Sequence, residues 1–209
     1  MSDPYLLPLA RAAAATYVPS AVCWLQNDTR TCQVFRSVVA GHPCFAFGGT
    51  QTFREWLVDF LALEVPCFQH ADAGPIHLGF YLDIRSAIDA MCVELASLGW
   101  PSFLVAGHSK GAGEAVLAHM ELKARGHAPL ATRAYEPPMV GTAALTRYLA
   151  GDDIGWTQTA NRAGPDIVTL VPDWPEWEHQ GVLMRLLVPD AYGIAQKHEV
   201  AAVLVALVA

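Results

Sequence analysis

The stretch Phe103-Leu104-Val105-Ala106-Gly107-His108-Ser109-Lys110-Gly111-Ala112-Gly113 constrains this chain more than any other. Its four leading apolar residues read as a strand, and the pattern from Ala112 to about Arg125 reads as a helix. The chain must therefore reverse from one to the other within Gly107-His108-Ser109-Lys110-Gly111. A turn that sharp brings strand and helix backbones almost into contact, and only small residues on both sides of the serine leave room for it. Gly107, Gly111, Ala112 and Gly113 supply them. The turn presents the serine hydroxyl at the end of a sheet, beside helix N–H groups that favour negative charge. Ser109 is the candidate nucleophile.

The surrounding pattern tells what sheet that strand belongs to. Residues 4–17 form an Ala-rich helical pattern with no chemistry written in it, and 32–39 and 44–47 read as strands separated by a turn at Gly41-His42-Pro43. Residues 78–98 are the longest helix, with Phe80, Ile84, Ile88, Met91, Leu95 and Leu98 on one face and Gly99 and Pro101 ending it. After the Ser109 helix come a strand at 132–135, a helix at 143–149 and a strand at 157–160. A last strand at 182–188 precedes a helical remainder from about Ala195. Helices alternating with short strands predict an α/β fold, a mostly parallel central sheet flanked by helices. With 209 residues, 53% of them hydrophobic, and no linker or repeat, the expectation is one domain over residues 1–209.

Composition excludes several partners. The net charge is −7 with no cluster of Lys or Arg, so nucleic acid is not expected. Charge alone would not dock the chain on an anionic membrane, but local apolar contacts leave transient contact with a lipid surface open. The apolar run 200–209 is far shorter than the ~20 residues of a membrane span. The five cysteines (Cys23, Cys32, Cys44, Cys67, Cys92) form no CxxC and no metal-like spacing with histidine, so no metal or cofactor is expected. They read as reduced thiols, and with an acidic start lacking a signal-peptide pattern they lead to the expectation of a cytoplasmic protein, with export by a route without a cleavable leader left open.

A serine hydroxyl needs a base, most often histidine, oriented by a buried carboxylate. On a strand–elbow–helix serine the acid and then the histidine follow in the chain. His119 and His127 lie in or just past the elbow helix, several turns from the hydroxyl, which leaves His179 and His198. If the last strand is parallel to its neighbours, residues after it share an edge with Ser109, which favours His198. Asp166 follows a strand exit; Asp173, Glu176 and Glu178 lie further along the same loop and remain alternatives. An oxyanion requires preorganised donors. The Lys110 N–H is one, and Thr50, after Gly48-Gly49 at the exit of strand 44–47, is assigned the other. Phe53, Trp56, Leu57, Phe60 and Leu61 follow with helical spacing, a greasy face that suits either core packing or a lid over an acyl pocket.

With these residues in place, the chain resembles the class 3, fungal-type lipase family of the α/β-hydrolases. Phe47-Gly48-Gly49-Thr50 with Trp56 and Asp59 is similar to the family's F-R-G-T and W-x-x-D, and His77-Leu78-Gly79-Phe80 to its H-x-G-F. The elbow resembles G-H-S-L-G, Pro138-Met139-Val140-Gly141 resembles P-R-V-G, Asp166-Ile167-Val168 matches D-I-V, and His179-Gln180-Gly181 matches H-x-G. The resemblance implies a triad of Ser109, Asp166 and His198, oxyanion donors at Thr50 and Lys110, a short lid helix over 53–61, and structural roles for His77 and His179. It also implies a serine ester hydrolase that acts on acylglycerols or related lipid esters through an acyl-enzyme. The alternatives are phospholipase A-type activity and a hydrolase-fold binding or scaffold protein that has lost its chemistry. Gly48, Lys110 and Glu136 depart from the family pattern, which has arginine, leucine and commonly glycine there; the lysine cation is expected to border the acyl pocket or point to solvent. The base must be neutral to accept a proton, so activity is expected to fall in acid.

Overall fold

In a computed structural model the protein is described over residues 3–27, 31–49 and 67–208. Helix α1 (Leu6–Ala15) precedes β1 (Leu25–Gln26), β2 (Gln33–Val39) and β3 (His42–Phe47). A hairpin of β4 (Cys67–His70) and β5 (Gly74–His77) leads into α2 (Leu78–Leu98), β6 (Leu104–His108) and α3 (Lys110–Ala124). Then come β7 (Ala131–Tyr135), β8 (Gly141–Thr142), α4 (Ala143–Tyr148), β9 (Ile154–Asn161) and β10 (Gly164–Pro165). A 3-10 turn (Val168–Leu170), β11 (Trp177–Glu178), β12 (Val182–Leu187), α5 (Ile194–His198) and α6 (Val200–Val208) complete it.

The main sheet runs β1-β2-β3-β6-β7-β9, with β10 and β12 also paired to β9. Strands β3, β6, β7, β9 and β12 are mutually parallel along their pairings, so their C-terminal ends share one edge. Register makes this concrete: Gly107 lies beside Phe47 and Ala134, and Leu187 beside Ala160. The chain leaving β3 at Gly48, β6 at Ser109 and β12 before α5 therefore emerges on the same side.

Side-chain alternation divides the core between the two faces of this sheet. Phe45, Phe47, Val105 and Ala134 face Ile84, Ile88 and Met91 of α2 and Ala112, Ala115 and Met120 of α3. Cys44, Leu104, Ala106 and Tyr135 face Leu9, Ala10 and Ala13 of α1 and Val203 of α6. Helix α2 begins at His77, whose side chain accepts the Phe80 N–H, and ends at Gly99 with a left-handed φ of 61°.

Three local expectations change. The β2–β3 reversal is made by Ala40 and Gly41, with φ of 49° and 81°, and His42 and Pro43 already pair with Val39 and Val38. A two-residue reversal with both φ positive matches the twist of the flanking strands, and so replaces the expected turn at Gly41-His42-Pro43. The helical remainder is two pieces, because Glu199 is extended (ψ 136°) between α5 and α6. Thus His198 ends a short helix ahead of the apolar one. The strands β4, β5, β8 and β11, a second small sheet in the order β11-β8-β5-β4, were too short to be read from periodicity.

Candidate active site

The elbow is built on backbone conformation and the absence of side chains. Ser109 has φ 58° and ψ −127°, a region L-residues rarely occupy, and its N–H is held by the Tyr135 carbonyl at 2.9 Å. A methyl group at Gly107 would collide with the Gly111 carbonyl, and one at Gly111 with the Phe47 carbonyl. Strand β6, helix α3 and the exit of β3 therefore meet backbone to backbone. Lys110 opens α3, so its N–H has no helical carbonyl to bond and lies next to the serine.

Three side chains far apart in sequence meet at this edge. His198 Nε2 is 2.7 Å from Ser109 Oγ, and His198 Nδ1 is 2.5 Å from Asp166 Oδ2. Ser109 and His198 are each 3% exposed and Asp166 is fully buried. The carboxylate only accepts, so Nδ1 carries the proton and Nε2 accepts from the serine hydroxyl. Asp166 is itself held: its N–H donates to the Thr159 carbonyl at 2.9 Å, and Oδ1 accepts the Val168 N–H at 3.1 Å. Burial alone would raise its pKa, but hydrogen bonds from His198, Glu136 and Val168 together with the His198 charge outweigh it and hold the carboxyl below its usual range.

Behind the histidine runs a second chain of hydrogen bonds. His108 Nε2 lies 2.8 Å from the His198 carbonyl and so donates to it; His108 Nδ1 then accepts the Tyr17 hydroxyl at 2.8 Å. Burial, with the neighbouring His198, pushes the His108 pKa down to about 3, so this ring stays neutral. The Tyr17 hydroxyl also abuts Gly49, where a methyl would sit 2.8 Å from the His108 carbonyl oxygen. Sequence reasoning found no chemistry in the N-terminal segment; only the fold brings Tyr17 to His108.

The other sequence candidates fall as follows. Asp166, and not Asp173, Glu176 or Glu178, meets His198. His179 lies apart from the serine: its Nε2–H donates to the Thr169 carbonyl at 2.8 Å and its ring stacks on Trp156 at 3.8 Å. The Lys110 ammonium is largely withdrawn from solvent. It turns inward to the Thr31 carbonyl (2.8 Å), Asp83 (2.9 Å) and Glu114. Burial alone would depress its pKa, but the two carboxylates outweigh that and keep it charged. Thr50, Phe53, Trp56, Leu57, Phe60 and Leu61 lie outside the described residues. Among the described residues no cluster of His, Cys, Asp or Glu is arranged to hold a metal ion.

A serine on a strand–helix elbow, an acid and then a histidine delivered to one edge of a parallel sheet define the α/β-hydrolase class. Within that class the model of the lipase (class 3) family matches residues 44–175, and the chain belongs to that family. It is 31% identical over 125 residues to the secreted mono- and diacylglycerol lipase A of Penicillium cyclopium, covering 54% of this chain and 39% of that protein. The protein of the same name from Penicillium camembertii matches equally well. The alignment thus spans well under half the length of either relative.

Solved structures share the fold. The mono- and diacylglycerol lipase from Aspergillus oryzae superposes with a TM-score of 0.76 at 20% identity, covering 94% of this chain and 85% of that one. The Lip2 lipase of Yarrowia lipolytica gives 0.69 at 17%, covering 88% and 78%. The expectation of a cytoplasmic protein is corrected by these comparisons, because both Penicillium relatives are secreted. Thiol count and terminal charge reflect neither the fold nor the site, and so are weak reporters of compartment.

Proposed function

We propose that this chain is a serine carboxylic-ester hydrolase acting on acylglycerols outside the cell, with mono- and diacylglycerols as its substrate class. The observation that carries this reading is the continuous relay Ser109–His198–Asp166, with contacts of 2.7 and 2.5 Å. Ser109 Oγ attacks the ester carbonyl as its proton passes to His198 Nε2, and the imidazolium is stabilised by Asp166 through Nδ1–H. The tetrahedral oxyanion forms at the N-terminus of α3, where the Lys110 N–H is a preorganised donor, with Thr50 as the second. His198 then protonates the departing alcohol, and water releases the acyl group by the same steps in reverse.

The substrate class follows the relatives, whose names specify mono- and diacylglycerol. A scaffold that had lost its chemistry would have no use for a relay with both contacts intact. The test is release of fatty acid from emulsified mono- and diacylglycerol by the wild type and Ser109→Ala, with a phospholipid emulsion alongside. Hydrolysis of the acylglycerols, lowered at least about 10⁴-fold by Ser109→Ala, is expected. Faster release from phospholipid would favour a phospholipase, and release unaffected by Ser109→Ala would end the reading.

A further inference from the structure

Glu136 is the first residue after β7, and it is fully buried with φ 52°, in the left-handed region where glycine is at ease. A side chain kept in that conformation must be held by its contacts, and these contacts lead into the relay. Its Oε1 accepts the Thr157 hydroxyl at 2.9 Å, and both carboxyl oxygens share the Thr159 N–H at 3.1 and 3.0 Å. Asp166 is anchored on the same threonine, its N–H donating to the Thr159 carbonyl at 2.9 Å, which sets the two carboxyl groups against each other, and each shifts the other's titration. Thr159 in turn donates its hydroxyl to the Lys197 carbonyl at 2.7 Å, tying the cluster to the residue before His198.

Two carboxyl groups in direct contact in a buried site cannot both be ionised, and a hydrogen bond between them requires a proton on one. Asp166 already accepts two N–H donors, that of Val168 and that of the imidazole, a setting suited to the anion. Glu136 is met by neutral threonines and backbone, and burial together with the Asp166 charge raises its pKa well above the usual range. Other titratable groups surround the pair: His198 on α5, the neutral His108 on β6, and Lys197 on α5. The Lys197 ammonium is spent on the carbonyls of Gly164 (2.9 Å) and Pro165 (3.4 Å). The proton therefore sits on Glu136.

We propose that Glu136 is a positioning residue of the relay: a neutral carboxylic acid that donates a hydrogen bond to Asp166, pinning the carboxylate and drawing part of its charge away from His198. This rests on the reading of Ser109, His198 and Asp166 as the catalytic relay. Without the donor, Asp166 holds a protonated imidazole more firmly, so the base is lost at a higher pH. Glutamine keeps the shape and can offer its amide N–H to Asp166 while its carbonyl accepts from Thr159; leucine can do neither.

The test compares wild type, Glu136→Gln and Glu136→Leu by the pH profile of kcat/KM and by NMR titration of the His198 ring. Glu136→Gln is expected to stay within about 3-fold of wild type at neutral pH with its acid limb in place. Glu136→Leu is expected to lose about 10-fold or more and to move the acid limb up by about one pH unit. The NMR titration should shift in parallel. If Glu136→Leu does not fold, Glu136→Gln still decides: a loss beyond about 30-fold there means a charged Glu136 is required and overturns the proposal. A Glu136→Leu protein with an unmoved acid limb and an unmoved ring titration also overturns it. Failure of the wild type to hydrolyse any ester sinks the hydrolase reading instead, and the ring titration still reports on Glu136.

Discussion

Tyr17→Phe removes one oxygen from the protein and should be felt at His198, the proposed base. The hydroxyl donates to His108 Nδ1 at 2.8 Å, and so fixes the proton of that ring on Nε2, facing the His198 carbonyl at 2.8 Å. Burial and the charge of Glu114 push the tyrosine pKa well above its ordinary value, so it remains a donor across the working pH range. In the phenylalanine variant His108 Nδ1 is a buried acceptor without its partner, which costs about 1–3 kcal/mol. For a chain of this size that lowers Tm by roughly 2–4 °C per kcal/mol. The alternative tautomer, no longer disfavoured, would place a lone pair against the His198 carbonyl and loosen the backbone that carries the base. Because the two relay contacts remain, kcat should fall only about 3- to 30-fold, the share left to residues that orient the base from behind. Urea unfolding and initial rates on a short-chain p-nitrophenyl ester measure both effects. Unchanged stability with unchanged kcat would refute the argument that Tyr17 sets the His108 tautomer.

Lys110→Met keeps the backbone N–H but strands the fully buried Glu114 carboxylate, and is expected to cost about 3–5 kcal/mol in urea unfolding. Adding Glu114→Gln should recover most of that loss. A single variant as stable as wild type would mean the pair is not held as described. Burial pushes His77 and His119 down to about 4 and His108 to about 3. These rings bind fewer protons folded than unfolded, so their contribution to stability is intact above about pH 6.5 and is lost as pH falls below it toward 3–4. In proton NMR none of the three should titrate between pH 7.5 and 5.5; a midpoint near 6.5 for any of them would contradict its burial as a neutral ring.

The candidate site was legible where chemistry and topology are local or directional. Glycines packed around Ser109 dictate the elbow, and the choice of His198 over His179 followed from one strand running parallel to its neighbour, as β12 does beside β9. Other parts depend on contacts between distant segments. Nothing in Tyr17 hints that a hydroxyl 91 residues from His108 will set its tautomer. Lys110 reads as a pocket cation until Asp83 of α2 and Glu114 of α3 are seen to hold its ammonium. Glu136 reads as a departure from a family pattern, and its conformation gives the reason for the pattern: at φ 52° a glycine carries no penalty. The β4–β5 hairpin, with strands of four residues each, offers too few alternations for a period to register.

Stoichiometric reaction with a fluorophosphonate, followed by mass mapping of the adduct, tests the account most directly. One phosphonyl group per chain on the peptide bearing Ser109 is predicted, with no labelling of Ser109→Ala and labelling at least about 100-fold slower in His198→Ala. No adduct on the folded wild type, or an adduct on another serine that persists in Ser109→Ala, would contradict it.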